Sequence, residues 1–330
     1  MAVSGSFRNP DLSGGAVADV QTSRSPRWYW HPYNRALLYW LAEVLGSVPR
    51  EARLALARGL GRFAPRFLPR EQEAVRTALA LSTGASGPRL DRLVTATFCD
   101  FAMCFSDLVS TNRQRADRLL AYLGSVTGAE ALDDLRGGIV SMTAHVGNWE
   151  LAGRLLTGRM ARKTHVVVAP DEAPELERWV RRDGDGMRFV PRDRPGVGLE
   201  LLAALRRGEV VALQGDRALG SRGDMYLPFL GRPAPFPLGP FLLARAAGVP
   251  VVPAFCLLDR DYRYSVRIAA PITVRRGEEV DAARAWVSEL EAVVREHPTQ
   301  WFNFFDVWRA LGEWEPGAAQ PDPDAAPEAP

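Results

Sequence analysis

The stretch GGIVSMTAHVGNWELAGRLL, residues 137–156, changes its hydrophobic period at its middle. Gly138 to Ala144 is a short apolar run of strand character, and from Trp149 to Leu156 the apolar residues fall at helical spacing. A strand that turns directly into a helix is the repeating unit of an α/β sheet, and ligands bind such sheets at the carboxyl ends of their strands. His145 stands at that turn, with Glu150 five positions on. On one straight helix, residues five apart diverge by about 140°, so the two cannot meet there. With Asn148 as N-cap and Glu150 in the first helical turn, His145 belongs to the preceding loop and can fold back toward the carboxylate.

The same alternation continues on the C-terminal side. Strands are expected at residues 139–144, 164–169, 187–191, 209–214, 251–258 and 264–270. Helices are expected from Trp149 and over 174–182, 198–207, 240–247 and 281–297, with Gly248 and Pro298 as stop signals. The last two strands form a β-pair joined through residues 259–261. The fold class is therefore α/β, with a mixed, largely parallel central sheet flanked by helices.

Upstream the pattern is helical only, over residues 35–45, 49–62, 69–81 and 90–110. This defines an N-terminal helical, membrane-proximal subdomain at 26–123, followed by an α/β core at 124–314. Residues 1–25 are polar and rich in Gly and Ser, and 315–330 are rich in Pro, Ala, Asp and Glu. Both are expected to be disordered. Trp28, Tyr29, Trp30, Tyr33, Tyr39 and Trp40 crowd a segment that also holds Arg24, Arg27 and Arg35. Rings beside arginines suit a membrane–water interface, and they equally suit packing of a helix on the core.

Composition narrows the function classes. A net charge of +2 gives no nucleic-acid signature. Cys99, Cys104 and Cys256 lie in apolar surroundings without CxxC spacing, which argues against a disulfide framework or a zinc site. No secretory h-region is visible, and the long apolar stretch 239–258 is interrupted by arginine, prolines and Gly248. The expectation is a soluble or peripheral protein.

Of the four histidines, His165 reads as a satisfied strand residue and His297 as a charge partner at a helix C-terminus. A second motif, Gln214-Gly215-Asp216-Arg217, also ends a strand, and Gly220, Arg222 and Gly223 follow it. A glycine-rich loop with two arginines can bind phosphate or carboxylate bidentately. The segment 227–240, LPFLGRPAPFPLGP, reads as a rigid apolar loop that could wall a groove for an acyl chain.

HVGNWE, GDRALGSRG followed by YLPFLGRPAPFPLGP, LARAAGVPVVPAF and HPTQWFNFFDVW occur in that order. Together these blocks resemble the lysophospholipid acyltransferase superfamily, in particular its bacterial lipid A biosynthesis (lauroyl/myristoyl) branch, over about residues 28–309. The resemblance implies transfer of a fatty acyl group from an acyl carrier protein or coenzyme A thioester to a hydroxyl or amine of a membrane glycolipid or phospholipid. It also implies no metal or other cofactor, and work at the cytoplasmic face of the inner membrane. Carried over, His145 is the general base and Glu150 its partner. Asn148, Asp216, Arg217, Arg222, Phe229, Gly231 and Pro237 are the candidate substrate contacts. The backbone N–H groups of residues 146–148 are candidates for an oxyanion hole. Competing readings are a thioesterase or lipid hydrolase with the same dyad, and a catalytically silent lipid-binding protein. No GxSxG elbow is present, and no GxGxxG follows the first strand, which counts against an α/β-hydrolase and a nucleotide-dependent oxidoreductase.

Overall fold

The computed structural model describes residues 48–111, 116–133, 135–152, 162–168, 186–218 and 223–308. The aromatic segment Trp28–Trp40, the helices expected over 35–45 and 174–182, both terminal segments and Arg222 lie outside the described residues.

Three helices open the described chain: α1 (Arg50–Phe63), α2 (Pro69–Thr83) and α3 (Gly87–Thr111). The sheet follows, with β1 (Leu123–Thr127), β2 (Ile139–Thr143), β3 (Thr164–Val168) and β4 (Met187–Pro191), then α4 (Val197–Arg206) and β5 (Val210–Gln214). Next come β6 (Asp224–Phe229), β7 (Arg232–Pro237), α5 (Gly239–Ala247), β8 (Val251–Leu258), β9 (Tyr264–Ile268) and α6 (Glu279–Glu296). Seven strands form one sheet in the order β1-β9-β8-β2-β5-β3-β4, all parallel except the β8–β9 pair. This is the mixed, largely parallel α/β sheet expected from the alternating pattern.

Strand alternation divides the sheet into two faces. Val140, Met142, Val211 and Val251 point to one side, where they share a core with Trp286, Leu290 and Val294 of α6 and with Phe241 of α5. The opposite side of the central strands presents small residues, Ser141, Ala212 and Ala254, between larger ones at the strand starts, Ile139 and Val210. The N-terminal helices do not have a wholly separate core. Leu54, Ala57, Met103 and Cys104 pack with Cys256, Tyr264 and Phe302. By length and apolar composition α3 could cross a bilayer. Its Val94, Phe98 and Asp107 are nevertheless buried against the protein, and Asp107 binds Arg50 and Arg53 from α1.

Two elements differ from the sequence expectation. β1 follows directly on the stretch, up to about residue 123, over which only helix is expected. It is an edge strand, half open to solvent, and its sequence LGSVT lacks an apolar run that would reveal it. The segment read as a rigid loop over 227–240 is largely an antiparallel hairpin, β6–β7, turning at Leu230 and Gly231 with φ of 53° and 81°. Two successive positive φ values make the tight turn whose twist suits a two-residue hairpin. Pro233, Pro235 and Pro237 alternate along β7. All three therefore fall on positions whose N–H would point away from the partner strand, so the ladder tolerates them.

Candidate active site

β2 and β5 are neighbours in parallel register, Ile139 opposite Val210 and Thr143 opposite Gln214. Their carboxyl ends therefore lie side by side, and the residues just beyond them, His145 and Asp216, are brought together. His145 Nδ1 is 2.8 Å from Asp216 Oδ1, and the His145 backbone N–H donates to Oδ2 at 3.0 Å. Trp301 Nε1–H donates to the same Oδ2 at 3.1 Å. The Asp216 side chain is fully enclosed, while that of His145 is 20% exposed. Burial by itself would raise the Asp216 carboxyl. The His145 ring, the Arg217 guanidinium and the Trp301 N–H outweigh burial and hold its pKa down at about 2. The result is an ionised carboxylate behind a partly exposed histidine, the arrangement of a general base with an orienting acid.

Distant segments hold the turn that carries His145. Gly147 N–H donates to Gln300 O at 2.8 Å, Asn148 N–H to Cys256 O at 2.8 Å, and Phe302 N–H to His145 O at 2.7 Å. Gly147 sits at φ 61°, and a Cβ there would lie 1.9 Å from the Cys256 carbonyl oxygen, so only glycine fits. These bonds also correct the oxyanion expectation. Two of the three N–H groups proposed for that role, those of Gly147 and Asn148, are already committed to protein carbonyls.

The helix does begin where expected, with residues 149–152 helical and Ala152 N–H bonded to Asn148 O. The Asn148 side chain, however, does not face a ligand. It is buried, and its amide donates to Cys104 O at 3.0 Å and to Tyr264 Oη at 3.1 Å. Tyr264 Oη–H in turn donates to Asp107 Oδ2 at 3.1 Å, and Asp107 holds Arg50 and Arg53. A buried polar chain thus runs from α1 to the turn that carries His145.

The remaining expected residues divide between the site and its support. Asp216, expected as a substrate contact, instead takes Nδ1 of His145, the place expected for Glu150. Glu150 lies in the first helical turn and lines a groove with Trp149, Thr143 and Gln214. Arg217 stays at the strand end, its guanidinium 4.9 Å from the Phe305 ring centre and 3.5 Å from Phe302 O. Phe229 is a core residue, edge-on to Trp301 and Phe236. Gly231 forms the exposed hairpin turn, and Pro237 is buried at the end of β7. Trp301, not expected from the sequence, joins the site through its bond to Asp216. Its only sequence signal is a tryptophan in the block HPTQWFNFFDVW, with nothing to show that its N–H reaches Asp216.

The groove runs along the sheet face that carries Ser141, Ala212 and Ala254, from Thr143 and Gln214 at the strand ends down to Ile139 and Val210 at their starts. Its described lining is almost entirely apolar, with Glu150 the charged group among those residues. His145 is beside its mouth, its ring 6.4 Å from that of Trp149. His165, by contrast, is the paired strand residue expected, buried and 2.7 Å from Glu209.

The family model described as bacterial lipid A biosynthesis acyltransferase matches residues 25–310. A phosphatidylinositol mannoside acyltransferase of Mycobacterium tuberculosis (strain H37Rv) is 28% identical over 206 residues, 60% of this chain and 63% of that protein. The chain thus aligns with somewhat less than two thirds of that relative's length. The lipid A biosynthesis lauroyltransferase of Escherichia coli K12 is 25% identical over 273 residues, 79% of this chain and 85% of that protein. Among solved structures, a 1-acyl-sn-glycerophosphate acyltransferase of Thermotoga maritima gives a TM-score of 0.36 at 14% identity, covering 76% of this chain and 98% of the other. The chain belongs to the bacterial lipid A biosynthesis acyltransferase family.

Proposed function

We propose that this protein transfers a fatty acyl group from a thioester, carried by an acyl carrier protein or coenzyme A, to a hydroxyl of a membrane glycolipid or phospholipid. The observation that carries the reading is the His145–Asp216 pair at the adjoining ends of β2 and β5, with the carboxylate buried and ionised. With its Nδ1–H bonded to Asp216, neutral His145 takes the acceptor's proton on Nε2 as the hydroxyl oxygen attacks the thioester carbonyl. Collapse of the tetrahedral intermediate expels the thiolate, which receives that proton back from the imidazolium. General-base assistance of this kind contributes about 10² to 10⁴ in rate. Arg217, next to Asp216 in sequence and at the same strand end, adds positive potential near the developing negative charge.

The apolar groove beside His145 supports the acyl half of the reading. Its floor of small side chains leaves room for a chain lying along the strands, and five-residue strands give it a length of roughly 13 Å. In this reading Glu150 acts at the groove mouth, on the thioester side, rather than behind the histidine. The acceptor is a membrane lipid of the chemistry its relatives' names suggest, and the enzyme works peripherally at the membrane's cytoplasmic face.

The decisive experiment pairs lipid mass spectrometry of a deletion strain with acyl-transfer assays of wild type and His145→Ala. A lipid that loses one acyl chain in the strain, and whose acylation by purified protein falls at least about 10²-fold in the variant, supports the proposal. Near wild-type transfer by folded His145→Ala would sink it.

A further inference from the structure

Residues 50–70, REARLALARGLGRFAPRFLPR, hold six arginines and one acidic residue, Glu51. One side of α1 is spoken for: Leu54, Ala57 and Gly61 are buried, and a Cβ at Gly61 would come within 2.6 Å of Phe98 O in α3. The other side is divided between two rows. Leu56, Leu60, Phe63 and Phe67 follow one another at steps of four, three and four, the spacing of a single helical stripe that continues into the 3₁₀ turn Ala64–Phe67. All four are exposed, Phe63 at 55% and Phe67 at 78%. Arg58, Arg62 and Arg66 form the neighbouring row at steps of four, and Arg70 extends it.

These arginines differ from Arg50 and Arg53, which are committed to Asp107. Arg58, Arg62, Arg66 and Arg70 are exposed and make no salt bridge to a carboxylate among the described residues. The Arg66 guanidinium lies 5.0 Å from the Phe63 ring centre, so the two rows touch. Soluble surfaces rarely show four large apolar side chains in one row. A protein interface gathers its aromatic and arginine anchors in a compact centre, whereas here they run as two parallel rows along the helix and the turn that follows it. An anionic bilayer accounts for both, through apolar burial at the acyl boundary and arginine contact with headgroups. The chain also enters α1 from a segment of like character, with Trp28, Trp30 and Trp40 among Arg24, Arg27 and Arg35.

We infer that the ridge formed by α1 and the following 3₁₀ turn is the surface on which this protein rests on an anionic membrane. Its place relative to the site is set by Arg50, which donates to Tyr262 O on the β8–β9 turn at 2.5 Å, at the same edge of the sheet as His145. From that edge α1 extends about 20 Å across the protein. A bilayer under the ridge lies beside the catalytic edge, where a lipid acceptor has to arrive. The inference rests on the reading that the acceptor is a membrane lipid, but its test needs no turnover.

The test is flotation of the full chain with phosphatidylcholine vesicles, with and without phosphatidylglycerol. R62Q/R66Q is expected to lower partitioning onto phosphatidylglycerol vesicles by about fivefold per arginine, with little change on neutral ones. F63S/F67S is expected to lower it on the order of tenfold or more on the anionic vesicles whatever the salt concentration. A polarity-sensitive dye on F67C, selective because the three native cysteines are buried, should shift to the blue with vesicles. Circular dichroism and melting temperature check that the exposed substitutions leave the fold intact. Wild-type partitioning by both variants would overturn the inference and assign attachment to residues 1–47. Loss of self-association or of acyl carrier protein capture by F63S/F67S, with vesicle binding unchanged, would also overturn it. Failure of vesicle binding would leave the acyl-transfer reading intact, and failure of acyl transfer would not touch the vesicle result.

Discussion

Replacing Asp216 by asparagine tests the site by changing a proton's place while keeping the shape. Two fixed donors, the His145 backbone N–H and Trp301 Nε1–H, converge on Asp216 Oδ2. In Asp216→Asn the amide oxygen must take that position, because the NH₂ group cannot accept from either donor. The NH₂ then faces His145 Nδ1, which has to accept, and the ring proton moves to Nε2. A histidine in that tautomer cannot take a proton on the nitrogen that faces the acceptor. Where an orienting carboxylate behind a catalytic histidine becomes an amide, turnover falls by about 10⁴, and a loss of about 10³ to 10⁴ is expected here. The assay is thiol release from acyl-CoA and from acyl carrier protein donors, with the acylated lipid followed by mass spectrometry. Glu150→Gln is run beside it and should lose less, since Nδ1 is already bonded to Asp216. Asp216→Asn activity within tenfold of wild type, or a larger loss in Glu150→Gln, would return the orienting role to Glu150. The same carboxylate gives a sign for pH. Its folded pKa of about 2 lies below its ordinary 3.8. The stability it contributes, about 2 kcal/mol, is therefore fully present above about pH 4 and lost as pH falls toward 2.

Two further substitutions probe the scaffold. Gly147 and Gly196 both have positive φ, but a Cβ at Gly147 would strike the Cys256 oxygen at 1.9 Å while one at Gly196 meets nothing within 4 Å. Gly147→Ala should therefore cost more than about 3 kcal/mol and abolish activity, against about 1 kcal/mol for Gly196→Ala; equal melting temperatures would contradict the close approach. Burial pushes the Asp100 carboxyl up to about 6 from 3.8, against the hydrogen bond from Thr299 at 2.7 Å and the charge of Arg58. A raised folded pKa gives a contribution that is present below about pH 4 and lost as pH rises through 6. Asp100→Asn should then be more stable than wild type at pH 7.5 by about 1–3 kcal/mol, with the gap closing toward pH 4.5. A gap that does not vary with pH would refute this.

The fold was legible where burial writes a continuous apolar run. β8, VVPAFCLL over 251–258, is legible to the residue as such a run, while β4 over 187–191, an edge strand broken by Arg188, is legible through Gly186 before it and Arg192-Asp193 after it. β1 was not legible, since an edge strand half exposed to water needs no apolar run and LGSVT has none. The β6–β7 hairpin was hidden by its prolines, which ordinarily argue against a strand. Here every second residue of β7 can be proline because a two-stranded ribbon leaves those N–H positions unused. Part of the site was legible for the same kind of reason. His145 directly follows an apolar run and Asp216 follows one after Gln214-Gly215, so both could be placed at strand ends without knowledge of which strands adjoin.

What could not be read was the pairing itself. The sequence separates His145 from Glu150 by five residues and from Asp216 by seventy-one, and only the β2–β5 register makes the farther carboxylate the nearer partner of Nδ1. The supporting bonds are equally remote: Cys256 and Gln300 fix the turn through their carbonyls, and Trp301 completes the Asp216 shell. Carbonyl oxygens leave no mark in a sequence, because every residue has one. A local motif can thus announce that a base is present while the acid that orients it is chosen by sheet topology. The spacing between His145 and Glu150 is then better understood as placing two functions on either side of one helix start. In the proposed reaction His145 faces the hydroxyl to be activated, and Glu150, which lines the groove, stands on the thioester side.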